Sequence, residues 1–179
     1  MVAAPGGDDE TRKTDEVLPW GMTETTATFL VTAADDQSVV MRDVDTAHVY
    51  TLDANEHDLE PEMVVGATVE PVPPMDVVHE LVDVDFARHV DVVDTDLSPT
   101  TQAMDTAEDL AVGEVARIER EGTGELHVLS VPPEDTEQAA RDVIADEETL
   151  ARAGRVGAVR VEVRRDADAG VLNVRYLPD

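Results

Sequence analysis

The sequence predicts an α+β fold, in which a small N-terminal β-barrel is followed by a β-β-α-α-β-β antiparallel sheet with its helices on one face. Three observations carry this. Five short β-branched runs crowd into residues 26–86, separated by Asp-rich turns, with a glycine inside one of them. Only one stretch, residues 132–157, has a clearly helical apolar period. Pairs of strand-like runs flank that stretch on both sides, which is the order of an antiparallel sheet covered by helices.

The elements follow in order. "TATFLVT" is closed by the turn "AADDQ", "SVVMRDV" by "DTA", and "HVYTL" by the loop "DANEHDLEPE". "MVVGATVEPV" resumes an extended run, and Gly66 within it marks a bulge or sharp bend. "PPM" interrupts the chain before "DVVHELVDVDF" continues as a fifth strand. Five short strands with one sharp bend fit a closed barrel over residues 22–93, and oligonucleotide-binding (OB) and SH3-like barrels are the usual forms at this size.

Residues 94–112 read as a connector with a short helix over "TTQAMDTAEDLA", starting after Pro99. The second unit spans residues 113–179. "EVARIERE" and "ELHVLSV" form a hairpin about the turn "GTG", although Val115 and Arg117 alternating with Ala116 and Ile118 leave no clean pairing face. Pro133 and Thr136 stand where a helix should begin, and Ala140, Val143 and Ile144 form its apolar stripe. "DEETLARAGRVG" is a second short helix with Arg152 and Arg155 near its C-terminal end and Gly157 as terminator. "AVRVEVRR" and "GVLNVRYL" close the sheet across "DADAG".

Composition bounds the habitat. The 179 residues carry 41 acidic and 13 basic side chains, a net charge of −28, with a single lysine, Lys13. Acidic disorder is poor in aliphatic residues, whereas 42% of this chain is hydrophobic and its valines are patterned. A folded protein in a cytoplasm of very high salt accounts for both. At about 1 M salt the Debye length is roughly 3 Å, so self-repulsion is screened while carboxylates keep the surface hydrated. Residues 1–21 show no period and are expected to be an acidic disordered tail, or an over-called start with Met22 as initiator; the sole Trp, Trp20, is incidental there. No apolar h-region and no apolar run of about 18 residues is present, so a cytoplasmic protein without a membrane span is expected.

The functional reading turns on arginine. Residues 150–176 hold six arginines against three acids, a local excess in a very acidic chain. Alternation places Arg160, Glu162 and Arg164 opposite Val159, Val161 and Val163, and Arg175 opposite Leu172, Val174 and Tyr176. Arg160, Arg164 and Arg175 are therefore the candidate anion or nucleic-acid contacts, expected on the solvent side of the sheet. Cross-strand charge pairing is the competing and preferred account of them, because Tyr176, the one aromatic available for stacking on bases, falls on the core side.

No catalytic residues, cofactor site or metal site is expected. The chain has no cysteine. His48, His57, His79, His89 and His127 lack the HExxH spacing, and each is expected to be an ordinary strand or loop residue. Neither a calcium loop, nor a P-loop, nor a GxSxG nucleophile motif is present.

Three stretches, "MTETTATFLVTAADDQSVVMRDVDTAHVYTL", "GTGELHVLSVPPEDTEQAARDVIADEETLARAG" and "VRVEVRRDADAGVLNVRYLP", together resemble an uncharacterised domain family of halophilic archaea, over about Met22 to Pro178. The resemblance implies a salt-rich cytoplasm and a two-part layout, and it carries no activity or site residue. The expected function is a non-catalytic cytoplasmic binding or adaptor module whose partner is a protein. The alternative is an RNA-associated protein that uses the barrel and the arginine-bearing sheet face.

Overall fold

A computed structural model describes residues 23–74, 76–120 and 124–179. The acidic N-terminal segment with Trp20, and Gly122 and Thr123 of the expected hairpin turn, lie outside the described residues.

Five strands close a barrel: β1 (Thr25–Ala34), β2 (Val39–Asp43), β3 (Val49–Leu52), β4 (Met63–Pro71) and β5 (His79–His89), in the order β1-β2-β3-β5-β4. All neighbours are antiparallel except β3 and β5, which meet in parallel at Leu52 and His79. Phe29, Val31, Val39, Met41, Leu52, Val65 and Val69 fill the interior, as period-2 alternation requires.

The turns follow from their aspartates. The Asp35 carboxylate accepts from the backbone N–H groups of Gln37 and Ser38, both at 2.8 Å, and these bonds hold it below the ordinary carboxyl range. Asp43 accepts from the N–H of Asp45 at 2.8 Å. In the β3–β4 loop the Asn55 amide donates to Asp35 O and Leu59 O and accepts from Leu59 N–H, which seats Leu59 in the barrel core. Gly66 does mark an irregularity: the β4–β5 register shifts beside it, and a side chain there would run into the Phe86 ring.

The second sheet contains β6 (Asp91–Asp94), β7 (Val115–Glu119), β8 (Glu125–Ser130), β9 (Ala158–Asp166) and β10 (Val171–Pro178), in the order β6-β9-β10-β8-β7. One expectation is corrected here. The sheet is mixed, because residues 91–94 pair in parallel with β9 instead of ending the barrel. A closed barrel offers no free edge, so an extended piece leaving it must pair elsewhere.

The two helices of the second unit lie on one face of the sheet, and the connector helix takes the other. α2 (Thr136–Ala145) and α3 (Glu147–Arg155) pack on Val161, Val163, Leu172, Val174 and Tyr176. α1 (Thr101–Glu108), capped by Thr100, covers the other face through Ala103, Met104 and Ala107 against Val128, Val171, Ala116 and Ile118. This resolves the unclean alternation of residues 115–118, since Ala116 and Ile118 belong to the face beneath α1.

α3 lies between barrel and sheet. Leu30, Val44 and Val64 from the barrel share one core with Ala151, Ala153 and Val161. Gly154 makes the approach close: a Cβ there would stand 3.2–3.4 Å from Val64, Val44 and Thr28. Glu148 bridges Arg42 of β2 at 2.7 Å and Arg155 at 3.3 Å, and Arg155 donates to Val44 O. No helix among the described residues is long and apolar enough to cross a membrane.

Candidate functional site

The three arginines singled out by sequence converge on one carboxylate. Glu162 accepts from Arg175 at 2.8 Å, Arg164 at 3.2 Å and Arg160 at 3.3 Å. Burial alone would raise the Glu162 carboxyl, but the guanidinium groups outweigh it and hold the group below its usual range. Arg160 also contacts Asp91 at 2.5 Å. The expectation that this face is open to solvent is corrected: Arg160 keeps 42% of its side chain exposed, but Arg164 and Arg175 keep only 16% and 17%. Arg164 leans toward the connector that enters α1, and its neighbour Asn173 is buried.

A different constellation lies on the opposite face, where α2 and α3 stop short of β7. The groove encloses about 230 Å³. Its floor is Val115, Arg117, His127, Leu129, Val174 and Tyr176, and its wall is Val143, Asp146, Glu148, Thr149, Arg152 and Arg155. Register explains the floor. Val115 pairs with Leu129 and Arg117 with His127, so these four side chains share one face.

The groove's polar groups fall into two sets. Arg152 holds Glu125 through two bonds of 2.6 Å, a fork that fits a carboxylate. Burial would raise the Glu125 carboxyl, yet Arg152 and His127 bring it below its ordinary value. Asp146 caps α3 by accepting from Glu148 N–H at 2.9 Å, and Glu148 is held by Arg42 and Arg155. Glu125, Asp146 and Glu148 therefore each have a partner within the chain. Arg117 is exposed and has no carboxylate within 4 Å among the described residues.

Burial lowers the His127 imidazole more than nearby Glu125 raises it, so the ring is neutral at pH 7. Its Nε2 is buried without a hydrogen-bond partner, and its ring lies 4.9 Å from Tyr176. Burial pushes the Tyr176 hydroxyl up to about 12, which leaves it a neutral group beside Thr149. Such a floor can present donors and apolar surface to a ligand.

β7 adds an open backbone. Among the described residues it is the terminal strand of its sheet. Ladder bonds run from Ser130 N to Glu114 O at 3.1 Å and from Arg120 N to Gly124 O at 3.2 Å. In an antiparallel ladder bonded at those residues, Val115, Arg117 and Glu119 direct their N–H and C=O groups away from β8. Val115 is 51% exposed and Val112 also faces solvent. Sequence reasoning missed this site; its one trace was the pattern at residues 115–118.

The histidines of the barrel stand apart from the groove. His48, Tyr50 and His79 meet edge to face with ring centroids 4.7 and 5.0 Å apart, beside a cavity of about 110 Å³ lined by His79, Asp53, Glu56, His57 and Glu80. Burial, then the nearness of His48, lowers the His79 imidazole. Among the described residues no group of three or more His, Asp or Glu is placed to hold a metal ion.

No curated protein and no solved structure matches the chain. One family model does, over residues 25–165, from the first strand of the barrel into β9, so it takes in the barrel and the groove lining apart from Val174 and Tyr176 of β10. The chain therefore belongs to a family of unknown function, DUF5812.

Proposed function

We propose that this chain is a non-catalytic protein-binding module of a salt-rich cytoplasm, and that it takes an extended segment of its partner along the free edge of β7. The observation that carries the reading is the coincidence of that edge with the groove. Outward N–H and C=O groups at Val115, Arg117 and Glu119 can bond an added strand, and the adjoining floor can seat its side chains. Exposed edge strands are usually blunted. Here β7 itself carries two charged side chains, Arg117 and Glu119, with Val112 and Val115 exposed beside them.

The barrel serves as a rigid support for α3. Its order β1-β2-β3-β5-β4, with parallel closure between β3 and β5, supports an OB-type over an SH3-type assignment. Two observations count against the nucleic-acid alternative. Residues 23–89 carry two arginines against fifteen carboxylates, whereas phosphate binding needs a cationic surface. Arg160, Arg164 and Arg175 already share Glu162.

The test is capture of the tagged full chain from lysate at molar salt, with and without nuclease, against Val115→Pro. Proline at this position removes an outward N–H and leaves the bonds to β8 in place. A protein retained by the parent after nuclease and lost by a folded Val115→Pro variant is the expected result. Equal capture by both chains, or recovery of RNA, overturns the reading.

A further inference from the structure

We infer that the strand accepted by β7 runs antiparallel to it and carries the order basic–x–acidic–x–aliphatic, its acidic residue facing Arg117. This specifies the partner for the edge-binding reading and rests on it.

The argument begins with side-chain direction. Val115, Arg117 and Glu119 bond outward and also point their side chains to the groove face. A residue placed opposite each one in an added antiparallel strand therefore presents its own side chain to that face, about 5.5 Å away between Cα atoms. Three pairings follow: an aliphatic residue meets Val115, a carboxylate meets Arg117, and a basic residue meets Glu119.

The central pairing decides the order. Glu125 is held by Arg152, Asp146 caps α3, and Glu148 is held by Arg42 and Arg155. Every other cation of the groove is thus matched within the chain, while Arg117 has no carboxylate among the described residues. The aliphatic position abuts Val115, Leu129 and Val143, the apolar end of the floor. The antiparallel direction continues the β10-β8-β7 half of the sheet, and such pairing is the more stable per residue.

A second copy of this chain does not supply the full order. Paired antiparallel about Arg117, two β7 strands would set Arg117 against Arg117, and like charges directly opposite are destabilising. Shifted so that Arg117 meets Glu119, a second copy would offer Val115 the carboxylate of Glu121 in place of an aliphatic residue. The occupant is a different protein's strand, and concentration-dependent dimerisation of the full chain that Val115→Pro abolishes would overturn that assignment.

The probe is a fluorescent peptide with the core Lys-Thr-Glu-Thr-Val, titrated by anisotropy into the full chain at the lowest salt that keeps it folded. Comparison peptides replace the central Glu by Lys or reverse the order of the core. The Glu peptide should bind about fivefold or more tighter than the Lys peptide, the upper range of one cross-strand charge pair. Arg117→Glu should invert that preference, and the reversed core should bind more weakly. Equal binding of the Glu and Lys peptides, or of the reversed core, overturns the assigned order while leaving edge binding intact. Binding of the Glu peptide that Val115→Pro does not weaken overturns edge binding itself. Absence of peptide binding, with protein capture still dependent on Val115, overturns the order alone.

Discussion

Replacing Arg152 by methionine removes the fork on Glu125 and keeps most of the apolar stem. Glu125 is 4% exposed and receives two bonds of 2.6 Å from that guanidinium. Without it the carboxylate stays buried beside Tyr176, with the neutral His127 imidazole, its Nε2 3.3 Å away, left beside it. Breaking a buried pair by removing one partner costs about 3–5 kcal/mol. Arg152 itself is 26% exposed, so water can reach the vacated side, which places the loss near the lower bound, about 3 kcal/mol. For a chain of this size that corresponds to a fall in Tm of roughly 6–12 °C.

The pH dependence tests the cause. In the parent, Glu125 is held below its unfolded value, so its contribution is present above the unfolded carboxyl pKa and is lost as pH falls through the folded one. In Arg152→Met the raising effect of burial is no longer offset, so protonation begins at a higher pH and relieves the penalty. The deficit relative to the parent should therefore shrink between pH 7 and pH 5. Protonation of His127 in that range acts in the same sense. Thermal unfolding at fixed molar salt measures both, and adding Glu125→Gln to Arg152→Met should restore most of the loss. A Tm within about 2 °C of the parent at pH 7, or a deficit that grows toward pH 5, would refute the assignment of Glu125 as a buried charge dependent on Arg152.

Two further expectations concern neighbouring groups. Glu162→Gln strands Arg164 and Arg175, both mostly covered, and should cost about 3 kcal/mol; Arg160→Ala, at the more exposed corner, should cost under about 1 kcal/mol. Denaturant unfolding that ranks these two in the opposite order would contradict the central role of Glu162. The His127 imidazole is lowered by burial, so below about pH 6.5 the unfolded chain binds a proton that the native chain does not. Native stability should fall as pH drops from 7 to 5.5, and His127→Gln should flatten that part of the Tm curve; equal slopes would place the acid sensitivity elsewhere.

The elements that sequence made legible are those with local causes. β-branched alternation marked the strands, the Asp-rich stretches "AADDQ" and "DTA" marked the turns, although Asp43, read as part of the strand, is the residue that holds the second one, and Gly66 marked the register shift opposite Phe86. The α2 stripe at Ala140, Val143 and Ile144 was equally local. What escaped depends on which strand becomes whose neighbour. Nothing within "DVVD" specifies β9 as its parallel partner. The solvent-side placement of Arg164 and Arg175 failed because α1 and its connector, distant in sequence, cover that face. The groove was invisible for the same reason: β7 has an unpaired edge among the described residues only because the sheet ends there.

The distribution of arginine then has a common cause. Contact pairs tie together elements that are distant in sequence. Arg160 to Asp91 and Arg165 to Asp94 fasten the four-residue β6 to β9, Arg165 to Glu137 ties α2, Arg152 to Glu125 ties α3 to β8, and Arg42 to Glu148 ties the barrel to α3. At about 1 M salt the Debye length is roughly 3 Å. Repulsion among distant carboxylates is screened at that distance, whereas pairs in direct contact at 2.5–2.9 Å are largely retained. A chain with 41 acidic side chains can hold its units together by such pairs where longer-ranged attraction would fail. Arg117 departs from this arrangement. It stands on an open edge, beside a neutral imidazole and an apolar floor, with no internal carboxylate among the described residues, and a carboxylate supplied by a partner strand would complete there the pairing that the other groove arginines already have.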